Sequence, residues 1–176
     1  MSREPSRGIL IACYSFSGST QALAEEIALQ AGGTVRVLVP EEPYAFDYNT
    51  AAKEARSQIA RGFCPKLSSG NEPIDAYDMV FVGTPNWFKS MAPPLLSFLR
   101  SHDFTGKTVI PFCTHGGGGA GQIEDEVRRA CGGATLLPGM ALAEGPAPEK
   151  VAAWLAQIGM KKGGHSNGKH DDPLAG

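Results

Sequence analysis

At 176 residues the chain has the length of one domain and enough residues to enclose a core. Apolar residues make up 42% and charged residues 19%, and the net charge of -2 excludes a broad basic footprint for nucleic acid. The polar start, 1–7, and the strand-length apolar run after it lead us to expect neither a secretory signal nor a membrane span, and so a cytoplasmic protein.

The first apolar run, from Gly8 to Tyr14, is continuous rather than alternating, as in a parallel strand covered on both faces. Ser19 to Ala31 follows with apolar residues at helical spacing and ends at Gly32-Gly33. Thr34 to Val39 is a second strand stopped by Pro40, and an aromatic connection through Tyr44, Phe46 and Tyr48 leads into a polar helix, Asn49 to Arg61. The third strand is Met79 to Gly83. After the loop Thr84 to Ser90 comes a helix carrying Leu95, Leu96, Phe98 and Leu99, with Pro93 and Pro94 in its first turn, where a missing N–H does little harm.

Lys107 to Cys113 reads as a fourth strand in spite of Pro111, because a glycine run follows where a strand would hand over to a helix. Gln122 to Cys131 is that helix, Ala134 to Leu137 a short edge strand, and Pro148 to Ile158 a final amphipathic helix. Five strands alternating with five helices give an α/β fold over 8–159. Residues 1–7 are expected to be flexible, and 160–176 to be a disordered tail with too few apolar side chains to offset the entropy of ordering.

Cysteines at 13, 64, 113 and 131 form no C-x-x-C pair, so buried free thiols are expected rather than a zinc site or a redox dithiol. The histidines at 102, 115, 165 and 170 show no ligand spacing, and no metal is expected.

Three loops at the carboxyl ends of the strands carry the functional signal. The first, Ser15-Phe16-Ser17-Gly18-Ser19-Thr20, sets hydroxyls around one glycine at a helix N-terminus, a composition that suits a phosphate dianion. No Lys or Arg lies between Gly8 and Arg36, so this is not a nucleoside-triphosphate loop, and with one glycine it lacks the G-x-G-x-x-G fingerprint as well. A phosphate monoester fits better than a polyphosphate. The competing reading is a serine-rich turn that merely caps the helix. Position favours the ligand, because open α/β sheets bind outside the carboxyl ends of their strands.

The second loop holds Thr84, Pro85, Asn86, Trp87 and Phe88, two large aromatics where exposure is expected. Trp87 is the candidate to stack on a planar ring, against the alternative that it packs on the next helix. The third, Thr114, His115, Gly116, Gly117 and Gly118, bares its backbone to a polar ring edge. It also matches G-x-G-x-x-G from Gly116 to Gly121, but Glu124, Asp125 and Glu126 open the helix behind it and would repel a pyrophosphate. The phosphate is therefore expected at the first loop.

Together these motifs resemble the flavodoxin-like FMN proteins, in particular their compact bacterial branch. Tyr14 to Thr20 is similar to the phosphate signature, with Ser19 where Asn is common. Tyr77 to Phe88, running on to Ala92-Pro93-Pro94, is similar to the third strand and ring-stacking loop. Pro111 to Gly119 is similar to the glycine-rich loop, with His115 where serine is frequent. The resemblance implies a doubly wound parallel sheet of five strands in the order 2-1-3-4-5, with FMN at the switch point. It implies a redox protein that passes electrons to a partner protein, or a reductase that takes hydride from NAD(P)H for quinone-like or other small acceptors. No side chain is nominated as acid or base, and neither nucleic acid nor membrane is an expected partner.

Overall fold

The computed structural model describes residues 8–143 and 146–160. The N-terminal segment 1–7 and all of the expected tail except Met160 lie outside the described residues. The first apolar run forms β1 (Gly8–Cys13), followed by α1 (Ser19–Ala31), β2 (Thr34–Val37) and the short β3 (Val39–Pro40). Next come α2 (Tyr48–Arg61), β4 (Leu67–Ser69), the long β5 (Tyr77–Trp87) and β6 (Ser90–Met91). The order closes with α3 (Pro93–Ser101), β7 (Thr108–Thr114), α4 (Ile123–Ala130), β8 (Thr135–Leu136), β9 (Met140–Leu142) and α5 (Pro148–Gln157).

The main path of the sheet runs β2-β1-β5-β7-β8, all parallel, which is the expected strand order. Both faces are covered, and this explains the unbroken apolar runs. Leu10 and Ala12 of β1, Val80 and Val82 of β5 and Val109 of β7 join Ala51, Ala55, Leu95, Phe98 and Val127 from α2, α3 and α4. Ile11, Cys13, Phe81, Ile110 and Phe112 face the other way, onto Leu23 and Ile27 of α1 and Val151, Trp154 and Leu155 of α5. Where β5 meets β7, Gly83 lies opposite Phe112, and a Cβ there would stand 2.2 Å from the ring. No helix among the described residues is long and apolar enough to cross a membrane.

The sheet departs from five simple strands in three places. The edge expected as one strand over 134–137 is two pieces: β8 pairs with Thr108 and Val109, and β9 with Phe112 to Thr114. Pro111, which has no N–H to give, stands at the break, and Gly139 passes so close that a Cβ would lie 2.5 Å from the Pro111 carbonyl oxygen. The second strand stops early. Leu38 N–H still donates to Cys13 O at 2.8 Å, but Val39–Pro40 turns away to pair antiparallel with β4. The third strand does not end at Gly83: it runs on to Trp87 and folds back as β6, so the expected loop is a β-hairpin. The main sheet therefore counts seven strands, with β3 and β4 forming a separate pair.

Candidate functional site

The carboxyl ends of β1, β5 and β7 bring the three sequence-predicted loops to one edge. In the first, Ser15 Oγ accepts from the N–H groups of Gly18 and Gln21 at 3.1 and 3.2 Å, folding the loop into the start of α1. Gly18 caps the helix at φ 102 with no side-chain hydrogen bond, and nothing lies within 4 Å of where its Cβ would be. The first-turn N–H groups of Ser19 and Thr20 find no acceptor among the described residues, as helix geometry requires when no side chain caps them. Ser17 and Ser19 are exposed, with the Ser17 hydroxyl donating to Ser19 Oγ at 3.3 Å. The first turn carries no acid. These features leave free donors, an open glycine and a positive helix end facing outward.

Thr20 differs from its neighbours in that it is 1% exposed, and its hydroxyl lies 2.7 Å from that of buried Thr114 at the end of β7. That bond straps the first loop to the third. In the third loop, His115 Nδ1 accepts from Gly117 N–H at 3.0 Å, while Gly116, Gly117 and Gly118 are exposed. A Cβ on Gly116 or Gly117 would meet nothing within 4 Å, so the backbone here borders open space.

The second loop is the most constrained. Trp87 pairs with Ser90 and Asn86 with Met91, leaving Phe88 and Lys89 as a two-residue turn with φ 56 and 66. Turns with two positive φ values suit Asn-Gly; two bulky L residues there are strained, by about 1–3 kcal/mol each, and persist only where neighbours hold them. They are held from three sides. The Glu126 carboxylate accepts from Ser90 Oγ at 2.6 Å and Met91 N–H at 2.8 Å, Lys89 O accepts from Gln122 N–H at 2.8 Å, and Asn86 Nδ2 donates to Gly119 O at 2.7 Å. Behind the turn, buried Thr84 accepts from Ala92 N–H at 2.8 Å and donates to Pro85 O.

Trp87 itself is 6% exposed. Its ring stands edge-on to Tyr14, Phe16 and Tyr44 at centroid distances of 5.7, 5.7 and 5.3 Å, and Phe16 in turn meets Tyr48 at 6.2 Å. Burial, assisted by Glu54, pushes the Tyr14 phenol above its usual range; for Tyr44 burial is again the main cause. Phe88 at the turn is 47% exposed, with the Arg56 guanidinium 5.4 Å from its ring centroid.

All fifteen predicted residues thus lie along one edge, in loops joined by Thr20–Thr114, Asn86–Gly119 and Phe16–Trp87 contacts. Sequence reasoning assigned no role to Glu126 beyond repulsion, nor to Tyr14 and Tyr44. Four residues from Asn86–Trp87 to Ser90–Met91 could pair only across a turn without Gly or Asn, so the hairpin and its clamp left no local signal.

A family profile described as flavodoxin matches residues 8–158. A crystallised Bacteroides eggerthii protein assigned to the flavoproteins is 28% identical, with a TM-score of 0.78 over 89% of this chain and 100% of its own. A Lactobacillus acidophilus flavoprotein solved in complex with FMN is 22% identical, with a TM-score of 0.65 over 77% of this chain and 93% of that one. A flavodoxin, WrbA-like protein from Agrobacterium tumefaciens is 16% identical, with a TM-score of 0.59 over 87% of this chain and 95% of its own. Among curated protein sequences none matches.

Proposed function

The chain belongs to the flavodoxin family, and we propose that it holds FMN at this edge and serves as a redox protein, passing electrons through the flavin to a partner protein. The observation that carries the reading is the N-terminus of α1: unpaired N–H groups on Ser19 and Thr20, exposed Ser17 and Ser19 hydroxyls, and no acid in the first turn. This donor set, with no cation, fits a phosphate monoester. FMN supplies reversible electron-accepting chemistry when bound.

The chain's own residues position and shield. Ser15 shapes the phosphate loop through Gly18 and Gln21, while Ser17, Gly18, Ser19 and the Thr20 amide would hold the phosphate. Thr20 and Thr114 lock that loop to the glycine loop, whose Thr114, His115, Gly116, Gly117 and Gly118 backbone would face the ring's polar edge. Thr84, Pro85, Asn86 and Phe88 would border the ring, with Trp87 packed in the aromatic cluster behind them and the clamp by Glu126 and Asn86 fixing their place. A cytoplasmic setting suits the four free cysteines.

A nicotinamide-dependent reductase is the second reading, and the open space over Gly116 and Gly117 favours it, because a ring bordered there stays accessible to a hydride donor. The experiment is an absorbance spectrum of the purified chain and an FMN titration of wild type and Ser17→Asp, followed by anaerobic addition of NADH and NADPH. A carboxylate 4 Å from a phosphate charge is opposed by between about 1 kcal/mol in water and about 4 kcal/mol near a protein surface. Ser17→Asp is expected to lose FMN at least about tenfold, the equivalent of about 1.4 kcal/mol. Wild-type affinity in that variant removes the phosphate from this loop. Rapid bleaching by either nucleotide selects the reductase, and indifference to both selects the carrier.

A further inference from the structure

Next to the hairpin, whose Ser90 and Met91 help to line it, α2, α3 and α4 leave a groove of about 470 Å³ between them. Its walls are apolar through Ile59, Phe63, Met91, Pro93, Leu96 and Ala130. It has a direction. Pro93 and Glu126, at the starts of α3 and α4, mark the end nearer the hairpin, whereas Arg100 and Arg129, in the last turns of the same helices, mark the other. From Pro93 to Arg100 the rise along α3 is about 10 Å at 1.5 Å per residue.

The polar groups along this groove are unbalanced toward donors. Both oxygens of Glu126 are already engaged by Ser90 Oγ and Met91 N–H. The amide oxygen of Gln58 accepts from Tyr44 Oη at 2.5 Å, which leaves its NH₂ to donate. Among the described residues neither Arg100 nor Arg129 forms an ion pair, and the hydrogen bond found for Arg100 is to the Cys64 sulfur at 3.6 Å. Each arginine complements the negative end of its own helix, and that role accounts for one at a time. It does not account for two guanidiniums, neither of them in an ion pair among the described residues, lining one groove with apolar walls. At the nearby C-terminus of α2, the Gly62 and Phe63 N–H groups take up the Ile59 and Gln58 carbonyls.

We propose that this groove is a second binding site, for a small amphipathic carboxylate whose anionic head pairs with Arg100 and Arg129 and whose apolar body lies along Ile59, Leu96 and Met91. An apolar pocket with a few convergent polar groups is the usual form of a small-molecule site. A bidentate guanidinium–carboxylate pair would supply the specificity. The site is separate from the phosphate loop and does not rest on the flavin assignment.

The probe is decanoate, titrated into the full chain in the presence and absence of saturating FMN and followed by the methyl NMR signals of Met91, Leu96 and Ile59 together with calorimetry. We expect one saturable site whose affinity is the same with and without FMN. Arg100→Gln combined with Arg129→Gln should weaken decanoate at least tenfold, while an equal loss of charge on other faces, Lys66→Gln with Lys150→Gln, should leave it unchanged. Decan-1-ol, of equal length and without charge, should not distinguish the arginine variant from wild type. All four replaced side chains are exposed, so the variants are expected to melt as wild type does. Leu96→Trp, which fills the groove without altering charge, should abolish the methyl shifts. No saturable binding up to 1 mM, competition with FMN, or arginine variants that bind as wild type would each overturn the proposal.

Discussion

The strap between Thr20 and Thr114 separates two ways in which the first loop can retain a cofactor. Both hydroxyls are buried, 1% and 7% exposed, and stand 2.7 Å apart, so each is the other's partner. Thr20→Val or Thr114→Val alone leaves one buried hydroxyl unsatisfied, at a loss of about 1–3 kcal/mol, whereas removing both with groups of the same shape is close to neutral. For a chain of this size about 1 kcal/mol shifts the melting temperature by about 2–4 °C, so each single variant should melt about 4–8 °C below wild type if it loses about 2 kcal/mol. The double variant should recover most of that. Urea unfolding of the FMN-free protein gives the cycle, and a coupling energy above about 0.5 kcal/mol is expected for residues in contact. FMN affinity is then measured on the same four proteins. Because the strap acts from both ends, Thr20→Val and Thr114→Val should weaken FMN by similar factors. Additive stability losses would refute the bond, and a Thr20→Val affinity about tenfold below that of Thr114→Val would show that the Thr20 hydroxyl serves the phosphate directly.

Other positions give sharper structural tests. Gly83→Ala places a methyl against the buried Phe112 ring, where a Cβ would come within 2.2 Å, and should destabilise by about 1–3 kcal/mol in urea unfolding; a change below about 0.5 kcal/mol would contradict that packing. Burial pushes the Cys13, Cys113 and Cys131 thiols up to about 12, 11 and 12, Cys13 with some help from Glu25, so at pH 8 a disulfide reagent should modify Cys64 first and the other three only after unfolding. Since those folded values exceed the ordinary 9.0, the stability these neutral thiols carry is present below pH 9.0 and lost as pH rises toward 11 to 12, an alkaline loss that replacing them with alanine should reduce.

The helices and the order of the main strands are legible because they rest on period and punctuation. Ser19 to Ala31 matches α1 in full, since glycines bound it on both sides, and continuous apolar runs declare strands covered on two faces. What is not legible depends on partners distant in sequence. Pro111 interrupts the edge only because β8 and β9 pair on that side, and Val39–Pro40 becomes a strand only through Leu67–Ser69. The positions of the three loops follow from topology, but the donors inside them do not. Whether Thr20 offers its hydroxyl outward or to Thr114, and whether Glu126 repels an anion or grips a hairpin, is decided by residues far along the chain.

Trp87 shows the same division within one side chain. Its sequence context marks it as a ring neighbour, yet at 6% exposure most of its surface is spent on Tyr14, Phe16 and Tyr44, while Phe88 beside it is 47% exposed. Each edge-to-face pair contributes about 0.5–1.5 kcal/mol beyond burial, so Trp87 is the hub of the aromatic cluster under the hairpin. Trp87→Ala should therefore destabilise the FMN-free protein by about 3–5 kcal/mol, the range for emptying a buried aromatic site. Direct stacking on a ligand ring predicts a different pattern, with a loss of about 1–3 kcal/mol confined to binding. Trp87→Phe keeps an aromatic in the cluster and should restore most of the stability together with FMN affinity, whereas Phe88→Ala should leave the FMN-free melting temperature near wild type. Calorimetric melting and FMN titration of the three variants separate these outcomes. A Trp87→Phe protein that melts as wild type but binds FMN tenfold more weakly would return Trp87 to direct contact with the flavin and refute its assignment to the core.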